Sequence, residues 1–165
     1  MSEERKKRLA LVASKGSLDQ AYPPLMLAST AVALGWEVGV FFTFFGLDII
    51  NKHKQARLQV APIANPAFPP PIPAVPLHVP NVVGMLPGMT GVATSFMKRW
   101  MSDAKMPSIT ELLEITMEGG GQLFACTTTM GVMHVSEADL IDGVSCRGAA
   151  AFLDFAAGAD VSLFI

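Results

Sequence analysis

The sequence predicts an α/β protein whose mainly parallel sheet is doubly wound. Three features of the 165 residues carry that expectation: short apolar runs recur, helix-period segments separate them, and glycines punctuate the ends. No period of about 20 to 50 residues repeats, so a solenoid is not expected.

The elements follow in order. "RLALVASKG" reads as a first strand closed at Gly16. "SLDQAYPPLMLASTAVALG" reads as a helix, with Ser17 able to cap it, apolar spacing from Leu25 through Leu34, and Gly35 as its stop. Pro23 and Pro24 mark its start or a kink. "WEVGVFFTFFG" is a continuous apolar run, expected as a strand buried on both faces. "LDIINKHKQAR" is expected to be a short helix with a basic end.

From Leu58 to Met97 the chain has no Asp, Glu, Lys or Arg, and nine of its twelve prolines fall there. Prolines at that density forbid a membrane-spanning helix. The whole chain is therefore expected as a single domain (1–165) with a Pro/Met-rich insertion at about 58–106. A short helix is expected within the insertion from about Thr90. Lid, subunit interface and membrane contact are its open roles, the last being the least favoured.

Regular alternation resumes at Pro107. Ser108 or Thr110 caps a helix with an apolar stripe of Leu112, Leu113, Ile115 and Met117, and Gly119 ends it. "QLFAC" is the next strand and "TTTMGVM" a short helix. A capped turn containing Glu137 and Asp139 leads to the loop-like "DGVSCRG", a helix from about Gly148 to Ala157, and the closing strand "DVSLFI".

A formal net charge of −2 gives no electrostatic footprint for nucleic acid. Beyond the charged N-terminus comes a strand-like run instead of a long apolar helix, so no signal peptide is expected. Two cysteines without a secretory pattern fit a reducing cytoplasm and free thiols.

Cys126 is the first chemical candidate. It ends an apolar run and precedes residues that open a helix, so backbone N–H groups there would stabilise a thiolate or a persulfide. Packing is the alternative, because cysteine is among the most buried residue types. Thr127 and Thr128 follow it; His134 lies further on, where a Cys–His pair would need it. Cys146, with Arg147 beside it, is a secondary candidate that would resolve an oxidised Cys126, relay sulfur or remain passive. Lys15 and Gly16, in the loop after the first strand, are candidates for a pocket at the sheet edge. The spacing of the cysteines matches no zinc pattern, and no GxGxxG or Walker loop occurs.

Taken together, "AYPPL", "FFTFFGL", "ACTTTM" and "LIDGVSCRGAAAFL" resemble the DsrE/DsrF-like sulfurtransferase family. The similarity is to its DsrE-type branch, often labelled peroxiredoxin-like, although no peroxidatic Pro/Thr/Cys/Arg constellation is present. The resemblance implies a three-layer α/β/α sandwich, homo-oligomers, and a cytoplasmic sulfur-relay role. It implies that Cys126 holds sulfane sulfur as a covalent persulfide, with no other cofactor and no metal, and passes it to a TusA-type carrier or a rhodanese. Two alternatives stand beside it: a non-catalytic ligand-binding or assembly module with a buried Cys126, and a redox sensor in which Cys126 pairs with Cys146.

Overall fold

Five short apolar runs become the strands β1 (Arg8–Ala13), β2 (Glu37–Phe42), β3 (Gln122–Cys126), β4 (Val144–Arg147) and β5 (Val161–Phe164). They form one sheet in the order β4-β3-β2-β1-β5, and every pairing is parallel. The structure is a computed structural model that describes residues 5–60 and 85–165; the proline-rich segment and His78 lie outside the described residues. The α-helices are α1 (Leu18–Ala33), α2 (Met89–Asp103), α3 (Ile109–Glu118), α4 (Thr127–Met133) and α5 (Ala149–Ala156).

The winding follows from chirality. Parallel crossovers are right-handed, so the steps β1→β2→β3→β4 keep their connections on one face. The return from β4 to β5 carries α5 over the other face, which gives the three-layer α/β/α sandwich. On the α5 face, Val12, Phe41 and Phe124 stand in register. Phe152 of α5 stacks on Phe41 with ring centroids 4.8 Å apart and meets Phe124 edge-on at 6.1 Å. Cys126 belongs to this cluster, because residues two apart on a strand share a face.

The opposite face presents Leu11, Val38, Val40, Phe42 and Leu123, all fully buried. Helices α1 and α3 supply the matching stripes: Ala21, Leu25, Ala28 and Val32 on α1, and Ile109, Leu112, Leu113 and Thr116 on α3.

Several expectations change. Helix α1 begins at Leu18, before Pro23 and Pro24, and continues through both. On α3, Ile115 is exposed and Ile109 and Thr116 take its place, in the i, i+3, i+4, i+7 spacing that one helix face requires. Thr116 can be buried because its hydroxyl donates to the Leu112 carbonyl at 2.7 Å. Ser108 caps this helix in a full capping box with Glu111. "DGVSCRG" is not a loop: Val144–Arg147 forms edge strand β4. "LDIINKHKQAR" forms no α-helix; 3₁₀ turns at Phe44–Ile49 and Gln55–Arg57 take its place.

The described residues divide into two compact units, one of 5–16, Gln20–Leu58 and Pro107–Ile165, the other of Ser17–Asp19, 59–60 and 85–106. Within the second, the Leu18 N–H donates to Gln59 O at 3.0 Å and the Val60 N–H to the buried Thr94 hydroxyl of α2 at 3.0 Å. Among the described residues, no helix is long and apolar enough to cross a membrane.

Candidate functional site

The sheet places Cys126 at the carboxyl end of β3, where the backbone turns directly into α4. The winding reverses between β3 and β4, the position in the strand order where open α/β sheets usually bind ligands. Cys126 is 7% exposed and keeps an extended backbone as the N-cap of α4, with φ −68° and ψ 108°.

As the N-cap, Cys126 makes no side-chain cap hydrogen bond to α4, but four neighbouring groups favour its anion: the Thr129 side chain, the Thr129 N–H, the Thr43 side chain and the Thr128 N–H. Burial pushes the thiol pKa up, but these contacts together outweigh it and hold the pKa below the ordinary thiol value. The two hydroxyls also bond each other, with Thr43 Oγ1 and Thr129 Oγ1 2.9 Å apart and both side chains buried.

Thr43 is held in place by its backbone. Its N–H donates to Ala13 O at 3.0 Å, and its carbonyl accepts from the Gly46 N–H at 2.9 Å. The turn lies hard against the loop after β1. A Cβ on Gly46 would collide with the Ala13 carbonyl, and one on Gly16 with the Phe45 carbonyl. The expected strand through "FFTFFG" therefore stops at Phe42. Phe44 adopts a left-handed backbone (φ 48°), and Phe44 and Phe45 are 56% and 62% exposed.

The other candidates disperse. Thr127 and Thr128 point to solvent, Thr128 serving through its N–H, while the buried Thr129 carries the working hydroxyl. His134 is the exposed C-cap of α4, at the far end of that helix from Cys126, in a left-handed conformation (φ 52°). Gly16 acts by close packing under the Thr43 turn, and Lys15 is exposed. Arg147 stands in register with Cys126 on the neighbouring strand, its side chain exposed.

Cys146 pairs in register with Ala125. Its Cα lies about 6 Å from that of Cys126 by strand spacing, but the two side chains leave opposite faces of the sheet. Cβ vectors that point apart exclude a bridge, and both cysteines are free. The paired redox sensor is thereby corrected. Burial, and then the charge of Glu137, push the Cys146 thiol pKa up.

Thr43 and Thr129 were not singled out by sequence reasoning. The available signal was one polar residue inside "FFTFF" and a third threonine one helical turn after the cysteine.

A doubly wound parallel sheet with a buried cysteine at its switch point defines an open α/β protein with a strand-end thiol. The chain belongs to the DsrE/DsrF/DrsH-like family, whose sequence profile matches residues 5–164. It is 45% identical over 159 residues to the sulfur carrier protein DsrE2 of Allochromatium vinosum, covering 96% of this chain and 98% of that one. It is 29% identical over 165 residues to the uncharacterized protein YrkE of Bacillus subtilis, covering 98% and 99%. Among solved structures it resembles the ychN protein of E. coli, with a TM-score of 0.55 and 14% identity over 96% and 99% of the two chains, a likeness of fold.

Proposed function

We propose that the protein is a sulfur relay that carries sulfane sulfur on Cys126 and passes it to a partner thiol. The observation that carries the reading is the buried Cys126 at the end of β3, beside the bonded Thr43–Thr129 hydroxyl pair, with its thiol pKa lowered. Similarity to a relative named as a sulfur carrier supports the same reading.

The chemistry is thiol exchange. The Cys126 thiolate attacks the outer sulfur of a donor persulfide, R–S–SH. A bond forms between Cys126 Sγ and that sulfur, the donor S–S bond breaks, and R–S⁻ leaves with the electron pair. Transfer onward repeats the step with an acceptor thiolate as nucleophile and Cys126 as leaving group. A leaving thiol of lowered pKa departs faster, so the same surroundings assist release. The sulfane sulfur is the only group carried, as a covalent persulfide, and no metal or organic cofactor takes part.

The acceptor is a protein thiol of the TusA or rhodanese type, met in the cytoplasm. The exposed Phe44 and Phe45 beside Thr43, with the exposed Val132 on α4, support an apolar docking rim for such a carrier. Homo-oligomers are part of the proposal. Support comes from edge strand β5, whose Val161, Leu163 and Phe164 are exposed.

The test is mass spectrometry after incubation with a sulfane donor. Wild-type protein and Cys146→Ser gain about 32 Da, one sulfur atom, and Cys126→Ser gains nothing. An increment that persists in Cys126→Ser and vanishes in Cys146→Ser overturns the assignment. The low exposure of Cys126 favours one second reading, a non-catalytic ligand-binding or assembly module, which a thiol inert to alkylation at neutral pH would carry.

A further inference from the structure

We propose that Thr43 and Thr129 are positioning residues for the Cys126 sulfur, a buried hydroxyl pair that shares its two hydrogens between itself and the sulfur anion. The inference rests on the sulfur-relay reading and goes beyond it by naming the side chains that set the state of the sulfur.

The two residues come from separate elements. Thr43 follows β2 and Thr129 sits in the first turn of α4, 86 positions later in the chain. A threonine beside a helix start ordinarily caps local backbone. Neither does so here: Thr43 makes no side-chain cap bond to the 3₁₀ turn it precedes, and the N-cap of α4 is Cys126 itself. Among the described residues, the two hydroxyls bond each other at 2.9 Å in a buried setting, and both side chains favour the anion of the Cys126 sulfur. Valine has nearly the same shape and would fill both positions without burying two hydroxyls. Packing alone therefore does not account for the pair.

Counting hydrogens shows what the pair does. Each hydroxyl owns one hydrogen and two acceptor lone pairs. While the oxygens bond each other, one hydrogen lies between them and the other is free for the sulfur. A neutral thiol needs little more, because its own S–H can donate into the pair. A thiolate only accepts, and hydrogen bonds to an ion are roughly twice as strong as neutral ones. Rotating one hydroxyl then turns the second hydrogen onto the sulfur without moving a heavy atom. The pair thus buffers the change from thiol to anion within a buried site.

This sharing has a measurable signature. Removing one hydroxyl leaves the other with its hydrogen and no competing oxygen, so it donates to the sulfur fully. Removing both leaves backbone N–H groups alone. The effects of the single substitutions therefore sum to less than the effect of the double.

The experiment follows iodoacetamide alkylation of the full chain across pH by mass spectrometry, using Cys146 as the control thiol in the same molecule. In Thr43→Val and in Thr129→Val the midpoint for Cys126 moves up. In the double variant it moves by more than the two shifts added. Thr43→Ser, which keeps the hydroxyl, stays at the wild-type midpoint, and the Cys146 midpoint is constant throughout. A Ser variant that behaves like Val, or a double variant with the wild-type midpoint, overturns the proposal. If the double variant does not fold, the two single variants and Thr43→Ser decide by the same criteria. Sulfane loading of wild-type Cys126 separates this failure from that of the relay reading. Loading with unmoved midpoints sinks the hydroxyl pair alone, and shifted midpoints without loading sink the relay alone.

Discussion

Cys126 and Cys146 stand one register step apart on neighbouring parallel strands, yet their thiols are pushed in opposite directions. Cys126 ends its strand where the chain turns into a helix. The first N–H groups of a helix have no backbone partner, and those of Thr128 and Thr129 favour a negative charge on the sulfur. Cys146 lies within β4, on the other face, where burial and the carboxylate of Glu137 both disfavour a negative charge. Residue type is shared between them, although Cys126 is buried and Cys146 half-buried. Polar neighbours that favour the anion surround Cys126, a carboxylate that disfavours it stands near Cys146, and where each strand stops sets that difference.

The largest expected effect lies in the core beneath Cys126. Phe152 stacks on Phe41 and meets Phe124, in the cluster that also contains Cys126. Phe152→Ala is expected to cost about 3–5 kcal/mol in urea unfolding, as buried aromatic truncations do. Cys146→Ala, on a half-buried edge strand, is expected to cost less than about 1 kcal/mol. Equal losses would show that the two faces of the sheet are not packed as differently as the contacts indicate.

Next comes the turn that carries Thr43. In Gly46→Ala the new methyl meets the Ala13 backbone carbonyl, and backbone gives way less readily than a flexible side chain. Overpacking of this kind costs about 1–3 kcal/mol. Because the displaced turn holds Thr43, the alkylation midpoint of Cys126 is expected to rise while that of Cys146 stays in place. A stability loss without that selective rise would separate the turn from the sulfur.

That turn also marks the boundary of what was legible. "QLFAC" followed by threonines announces a strand that becomes a helix, and the capped start of α3 at Ser108 is equally local, so both were readable. "FFTFF" was not. Its apolar character argues for continued strand, and nothing local reports that Gly46 and Gly16 let two loops interlock and send Phe44 left-handed. The hydroxyl partnership spans 86 positions, and a contact that long-range leaves no periodic trace. "DGVSCRG" failed for a related reason: a four-residue edge strand has little apolar content of its own and is defined by its neighbour.

A smaller effect is the pH dependence of stability. The folded pKa of Cys126 is lowered, so the unfolded chain binds more protons here. Its contribution is full above the unfolded thiol pKa, about 8.5, and is lost as pH falls through the folded value. Cys146 has the opposite sign: its folded pKa is raised, so its contribution is full below the unfolded pKa and is lost as pH rises through the folded value. Urea unfolding at several pH values between about 7 and 9.5 should therefore show the stability gap between wild type and Cys126→Ser widening with pH. The gap between wild type and Cys146→Ser should close. Gaps that move together would mean that the two thiols share one environment.

The smallest effect isolates a single cause at Cys146. Burial comes first there and the Glu137 carboxylate second, so Glu137→Gln removes the lesser contribution and leaves the greater. The Cys146 alkylation midpoint should fall part of the way toward the ordinary thiol value, while that of Cys126, held by hydrogen bonds, should not move. Salt provides an independent control. Glu137 is exposed, and a Debye length of about 8 Å at physiological ionic strength shrinks to about 3 Å at 1 M. Raising salt on the wild-type protein should therefore reproduce the Glu137→Gln shift at Cys146 and have little further effect in that variant. If salt moved Cys126 as well, charge rather than hydrogen bonding would govern both thiols, and the contrast between the two strand ends would be one of degree.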